Sequence, residues 1–284
     1  MPATVGTART ADGIELRTRT WLALGAGPPR AAILIVHGFG EHSGRYEHVG
    51  DGLAAAGFRV ESYDQRGTGA SGGPRTWVDS WSTVHDDLEQ RLGAAREAAD
   101  GRPVVLMGHS LGGLIVLGYV LAERPRPDLL VLSAPGLEDR IAGWRKRLAV
   151  LLDGLAPRLR VDAGIKRGVL ATRPRDGFVY TDDPLVETKS TVHAGALSLR
   201  EQARVIERLD SLDHLPIPTL AVHGADDVLV PPTASARLAR FPEVTRIVYP
   251  GLKHETHNEA ASTTVADIAR WLDERIAVLE SGHN

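Results

Sequence analysis

The sequence predicts an α/β protein, a mostly parallel, doubly wound sheet with helices on both faces and one inserted cap. Three observations carry this. Apolar runs at 31–36 (AAILIV), 104–107 (VVLM), 129–132 (LLVL) and 218–222 (PTLAV) are continuous rather than alternating, as strands covered on both faces must be. Helix-period stretches lie between them, and strand–helix alternation implies a parallel sheet. From 137 to 210 no buried strand appears, a gap far beyond ordinary loop length.

In chain order, 5–22 alternates loosely about the turn signal Ala11-Asp12-Gly13, which predicts an antiparallel hairpin at one sheet edge. The 31–36 run ends in His37-Gly38-Phe39-Gly40. A helix over 46–56 ends at Gly57, and 58–63 returns as a strand. The Gly-rich loop 64–72 carries neither a dinucleotide fingerprint nor a P-loop ending, so it reads as a structural turn. A helix over 81–99 leads into the strand at 104–107. After the gap come the strand 218–222, a helix over 233–240, a strand over 245–249 and a closing amphipathic helix over 261–279. The core is therefore 1–136 with 211–284, and 137–210 is the cap.

The chain centres on 103–123, strand then Gly108-His109-Ser110-Leu111-Gly112-Gly113 then helix. Gly-x-Ser-x-Gly in that context is a nucleophile elbow, in which a strained turn lifts the serine hydroxyl clear of the sheet. The flanking glycines have a steric reason, because a Cβ there would meet the neighbouring strand and helix.

Net charge of −3 gives no electrostatic case for nucleic acid, and the absence of cysteine excludes disulfides, a thiolate nucleophile and Cys-ligated metal. No apolar run approaches a membrane span and the N-terminus has no signal-like core, which predicts a soluble, cytoplasmic protein. A serine nucleophile of this kind requires neither metal nor cofactor. The mixed basic and apolar stretch 144–170 reads equally as a lipid-facing surface or as a solvated face over an apolar underside.

An elbow serine needs a base and an orienting acid, in the order serine, acid, histidine. Five histidines precede Ser110, His193 falls in the cap, and His214 and His223 come before the candidate acids. His254, His257 and His283 remain, and the first two sit in a loop after a strand, His254 coming first after the Pro-Gly turn; the resemblance given below adds to the preference for it. Asp226 and Asp227 both follow a strand end; Asp226 is the chosen acid, with Asp227 as a pairing or capping residue. Oxyanion donors should be the backbone N–H groups of Phe39 and Leu111.

The segments HGFGEHSGRY (37–46), DQRGTGASGG (64–73), GHSLGG (108–113), YTDDPL (180–185), HGADD (223–227) and GLKHETHNE (251–259) span almost the whole chain. On them it resembles the monoacylglycerol lipases and lysophospholipase-like relatives of the α/β-hydrolase superfamily. The resemblance implies an α/β-hydrolase fold, Ser110, Asp226 and His254 as triad, Phe39 and Leu111 as oxyanion donors, and a glycerol-end cluster of Glu41, Arg45, Tyr180 and His257. It implies a small lipid substrate, a monoacylglycerol, with no cofactor, while peripheral membrane contact through the cap is an expectation from the basic, apolar composition of 144–170. Leu111 stands where the family often has methionine, and Phe39 where it has a small residue. A general carboxylesterase, a lysophospholipase and a catalytically silent lipid-binding member are the other readings, and the sequence sets no oligomeric state.

Overall fold

The structure, a computed structural model, describes residues 2–25, 27–174 and 179–281; His283 and cap positions 175–178 lie outside the described residues. The chain opens with a hairpin of β1 (Thr4–Arg9) and β2 (Glu15–Trp21), in register from Thr4 opposite Thr20 to Arg9 opposite Glu15. Then follow β3 (Ala32–Val36), α1 (Glu47–Ala55), β4 (Arg59–Tyr63), α2 (Trp81–Ala99), β5 (Val104–His109), α3 (Leu111–Leu121) and β6 (Leu129–Ser133). The interval after β6 holds α4 (Gly143–Asp153), β7 (Arg160–Asp162), β8 (Lys189–Thr191) and α5 (Val192–Asp210). The chain ends with β9 (Thr219–Gly224), α6 (Thr233–Ala236), β10 (Val244–Tyr249), α7 (Thr256–Glu259) and α8 (Ala261–Ser281).

Among the described residues, eight strands form one sheet in the order β1-β2-β4-β3-β5-β6-β9-β10, antiparallel at β1, β2 and β4 and parallel from β4 to β10. This is the mostly parallel, doubly wound sheet that the continuous apolar runs imply, and the α/β-hydrolase fold that the resemblance implies. β5 shows why they must be continuous: Val104 and Leu106 enter one apolar core with α2 and α3, while Val105 and Met107 enter the opposite core with α1 and α8. Full burial of such side chains contributes about 1.5–3 kcal/mol each, so both faces favour one register.

Some boundaries differ from expectation for local reasons. A 3-10 turn, Ser43–Tyr46, precedes α1, and the helix expected over 233–240 divides into α6 and a 3-10 turn, Arg237–Arg240. The described residues of the 137–210 interval add no strand to the main sheet, and among them β7 and β8 pair with each other. Its last helix, α5, buries Val205 and Leu209 in the core on the α3 side. Its first helix, α4, has no buried residue. Trp144, Leu148, Leu151 and, just beyond the helix, Leu155 recur at i, i+4, i+7 and i+11 and are 43–75% exposed. No described helix is long and apolar enough to cross a membrane.

Candidate active site

Ser110 links β5 to α3 at φ 52°, ψ −116°, a conformation an L-residue adopts only under constraint, at a cost of about 1–3 kcal/mol. Three backbone bonds hold it: Ser110 N–H donates to Ser133 O at 2.9 Å, and Ser110 O accepts from Gly136 N at 2.9 Å and Leu114 N at 3.1 Å. A Cβ on Gly108 would overlap the Gly112 carbonyl, and one on Gly112 would overlap the Val36 carbonyl, so both flanking glycines are sterically required.

The Leu111 N–H lies in the first turn of α3, where helical N–H groups lack intrahelical partners and the dipole favours negative charge. Phe39 lies in the loop after β3. Neither its N–H nor that of Leu111 donates to a protein acceptor among the described residues. The Phe39 loop is held from both sides. Gly38 N donates to Glu41 Oε1 at 2.6 Å, Tyr180 Oη donates to Phe39 O at 3.0 Å, and Glu187 N donates to Gly40 O at 2.8 Å. Gly40 needs its φ of 65° and its missing Cβ there, because any Cβ would overlap the Glu187 carbonyl. The 180–187 strap, further tied by Asp183 to His42 Nε2 at 2.9 Å, thus lies across this loop.

His254 Nδ1 meets a carboxylate at 2.6 Å, and that carboxylate is Asp227, not Asp226. The preference for Asp226 is corrected here. Asp226 is exposed and its N–H donates to Leu252 O, whereas Asp227 is 2% exposed and turned inward by an Asx turn, Oδ1 accepting from Leu229 N at 2.8 Å and Val230 N at 2.9 Å. Gly224 lets the histidine loop approach, since a Cβ on it would overlap the Lys253 carbonyl.

Asp227 Oδ2 has a second imidazole donor. His223 Nε2 lies 3.1 Å from it and 3.0 Å from Val230 O, and both acceptors place the proton on Nε2. Burial opposes the Asp227 charge, but the two histidines hold its carboxyl well below the usual range. A charged carboxylate fixes the His254 proton on Nδ1 and leaves Nε2 as the ring's acceptor. Sequence order had set His223 aside; the His-Gly-x-x-Asp spacing, four residues from strand end to carboxylate, was the available signal.

Ser110, His109 and His254 line one cavity of about 190 Å³ together with Glu41, Tyr180 and Glu255. Of the four residues expected at the glycerol end, Glu41 and Tyr180 therefore border it, and Arg45 and His257 do not. Arg45 is drawn into the protein by two carboxylates, Nε to Glu41 Oε2 at 3.0 Å and Nη2 to the two Glu255 oxygens at 2.9 and 3.1 Å. His257, on α7, is fully buried, stacked 5.1 Å from Tyr46 and edge-on 4.6 Å from His109, and neither ring nitrogen has a hydrogen-bond partner among the described residues. Burial first, then His109, push its pKa well below the ordinary histidine value, so it is a neutral packing ring. Glu255, which the sequence reading left unassigned, occupies the wall instead.

Gly38 and Phe39 also border a second cavity of about 90 Å³, whose apolar side is Trp77, Trp81, Val84, Leu111 and Ile115. Phe39 thus borders both the Ser110 cavity and an apolar compartment.

A family model described as serine aminopeptidase, S33 matches residues 27–261. The chain is 32% identical over 86% of its length to the monoacylglycerol lipase of Mycolicibacterium smegmatis, spanning 88% of that protein. It is 30% identical over 97% of its length to an uncharacterized abhydrolase domain-containing protein of Dictyostelium discoideum, of which it spans 30%. The crystal structure of Paleococcus ferrophilus monoacylglycerol lipase is similar at a TM-score of 0.79 and 27% identity, over 90% of this chain and 98% of that one.

Proposed function

Since the chain belongs to the serine aminopeptidase S33 family, we propose that it is a serine ester hydrolase cleaving monoacylglycerols to fatty acid and glycerol. The observation that carries this is the strained Ser110 sharing one pocket with a His254 whose Nδ1 is held by a buried carboxylate. The monoacylglycerol lipases among the relatives and solved structures support the choice of substrate.

Ser110 Oγ attacks the ester carbonyl and gives its proton to His254 Nε2. The Phe39 and Leu111 N–H groups receive the developing oxyanion, and Asp227 stabilises the imidazolium. Collapse breaks the bond to the glycerol oxygen, which leaves with the proton from His254. Water, deprotonated by the same nitrogen, then cleaves the acyl-enzyme and frees the fatty acid. The acyl tail is assigned to the apolar compartment behind Phe39, and 137–210 to a cap closing over both. The exposed stripe Trp144, Leu148 and Leu151, beside Arg145, Lys146 and Arg147, is assigned to peripheral contact with a lipid surface.

A broader carboxylesterase activity is the second reading, favoured by one observation: Arg45 and His257 are turned away from the pocket, leaving fewer groups to read glycerol. Rates on a monoacylglycerol and on the methyl ester of the same acid separate the two. Preference for the monoacylglycerol supports the proposal, and equal rates support the broader activity.

A further inference from the structure

The pocket in front of Ser110 is bordered by two carboxylates, Glu41 and Glu255, and by no lysine or arginine among the described residues. Both residues are 2% exposed. They share a single guanidinium, Arg45, which lies behind the wall with its carbon 5.5 Å from the Tyr180 ring centre. Glu41 Oε1 is already occupied by Gly38 N at 2.6 Å and Tyr46 Oη at 2.8 Å, and Glu255 Oε2 also accepts from Asn258 Nδ2 at 2.8 Å. Burial first raises the Glu255 carboxyl, Arg45 opposes it and Glu41 adds to it, so its pKa stands above the ordinary carboxylate value; above that pKa both carboxylates are ionised and the cluster carries one net negative charge.

That surplus lies where the proposed reaction puts the leaving group. We propose that Glu255 makes the pocket a charge filter, so that acyl esters of neutral alcohols such as glycerol are turned over and acyl esters of a glycerol phosphate are turned away. This rests on the ester-hydrolase reading above and adds a substrate class to it.

The physics is through-space and needs no contact with Glu255. At a separation of about 6 Å and an effective dielectric constant near 20, one unlike or like unit-charge pair changes binding by roughly 100-fold. A phosphate monoester brings more than one such charge at neutral pH. Lys166 and Arg167 oppose the effect from an adjoining cap cavity that shares Leu170, Tyr180 and Glu255 with this pocket. They are exposed, where solvent screens them, and the glutamates are buried. The buried charge therefore dominates at the reacting ester.

The test compares kcat/KM for a short-chain monoacylglycerol and the lysophosphatidic acid of the same acyl chain, both below micelle formation, at pH 8 and 0.15 M salt. The wild-type protein should favour the neutral ester by about 100-fold or more. Glu255→Gln, which keeps an oxygen for Arg45 and removes the charge, should narrow that ratio at least tenfold in protein shown to be folded by circular dichroism. A wild-type ratio near one overturns the filter whether or not the variant folds, as does an unchanged ratio in folded Glu255→Gln. Failure of wild type on both substrates would instead remove the ester-hydrolase reading on which the filter rests.

Discussion

Replacing Asp227 by asparagine tests the acid assignment through hydrogen-bond arithmetic. Oδ2 accepts from His254 Nδ1 and His223 Nε2, and Oδ1 accepts from the Leu229 and Val230 N–H groups. Asparagine has one oxygen, so in either flip its amino group faces two donors. The soft partner is His254, which relieves the conflict by moving its proton to Nε2 and accepting at Nδ1. That tautomer has no lone pair facing Ser110. Loss of the base in this way costs about 10⁴-fold in kcat, or about 5 kcal/mol of transition-state stabilisation. Asp226→Asn changes an exposed side chain and should alter kcat by less than about twofold. Both rates are measured on a soluble short-chain ester at pH 8, with thermal melts as a folding control. A loss above 100-fold in Asp226→Asn, with Asp227→Asn within tenfold of wild type, would refute the reasoning.

Other consequences follow from the same geometry. Tyr180→Phe removes the hydroxyl that donates to Phe39 O, so kcat should fall about two- to tenfold on a monoacylglycerol and a methyl ester alike; a loss confined to the monoacylglycerol would return Tyr180 to glycerol binding. Burial holds His37, His109 and His257 below the ordinary histidine range, and His85 is pushed down to about 4 by burial and then Arg124 and Arg204. Below about pH 6.5 the unfolded chain therefore takes up protons that the folded one refuses, and stability falls by up to about 1.4 kcal/mol per pH unit for each such ring. Urea titrations between pH 6.5 and 5 should show His257→Phe with a slope shallower by about one proton, and an unchanged slope would place the proton elsewhere. Changing Trp144 and Leu151 on α4 to Ser should weaken binding to anionic vesicles while leaving soluble-ester hydrolysis intact; undiminished vesicle binding would dissociate that stripe from lipid contact.

The parallel sheet was legible because β3, β5, β6 and β9 are buried on both faces, which forces short, continuous apolar runs. The elbow was legible because its glycines answer to backbone overlap, a constraint written in single residues. Choosing between adjacent aspartates was another matter. Asp226 and Asp227 are chemically identical, and the choice is made by an Asx turn whose donors, Leu229 and Val230, are featureless in sequence. The expectation of His257 and Arg45 at the pocket comes from the family resemblance, which carries residue positions but not side-chain directions. The rotation of α7 toward Tyr46, and the pull of Glu255 on Arg45, are tertiary facts. Glu255 itself was in plain view beside His254, but only the fold shows that it faces the nucleophile's cavity.

The central claim is that Ser110 hydrolyses monoacylglycerol through an acyl-enzyme. Its most direct test is simultaneous measurement of glycerol and fatty acid release from a monoacylglycerol by wild-type protein and by Ser110→Ala, with intact-mass detection of the acylated serine. Wild type should release equimolar products and gain the mass of one acyl group on Ser110, and Ser110→Ala should release both at least about 10³-fold more slowly. Undiminished release by folded Ser110→Ala, or acylation at another residue of wild type, would contradict it.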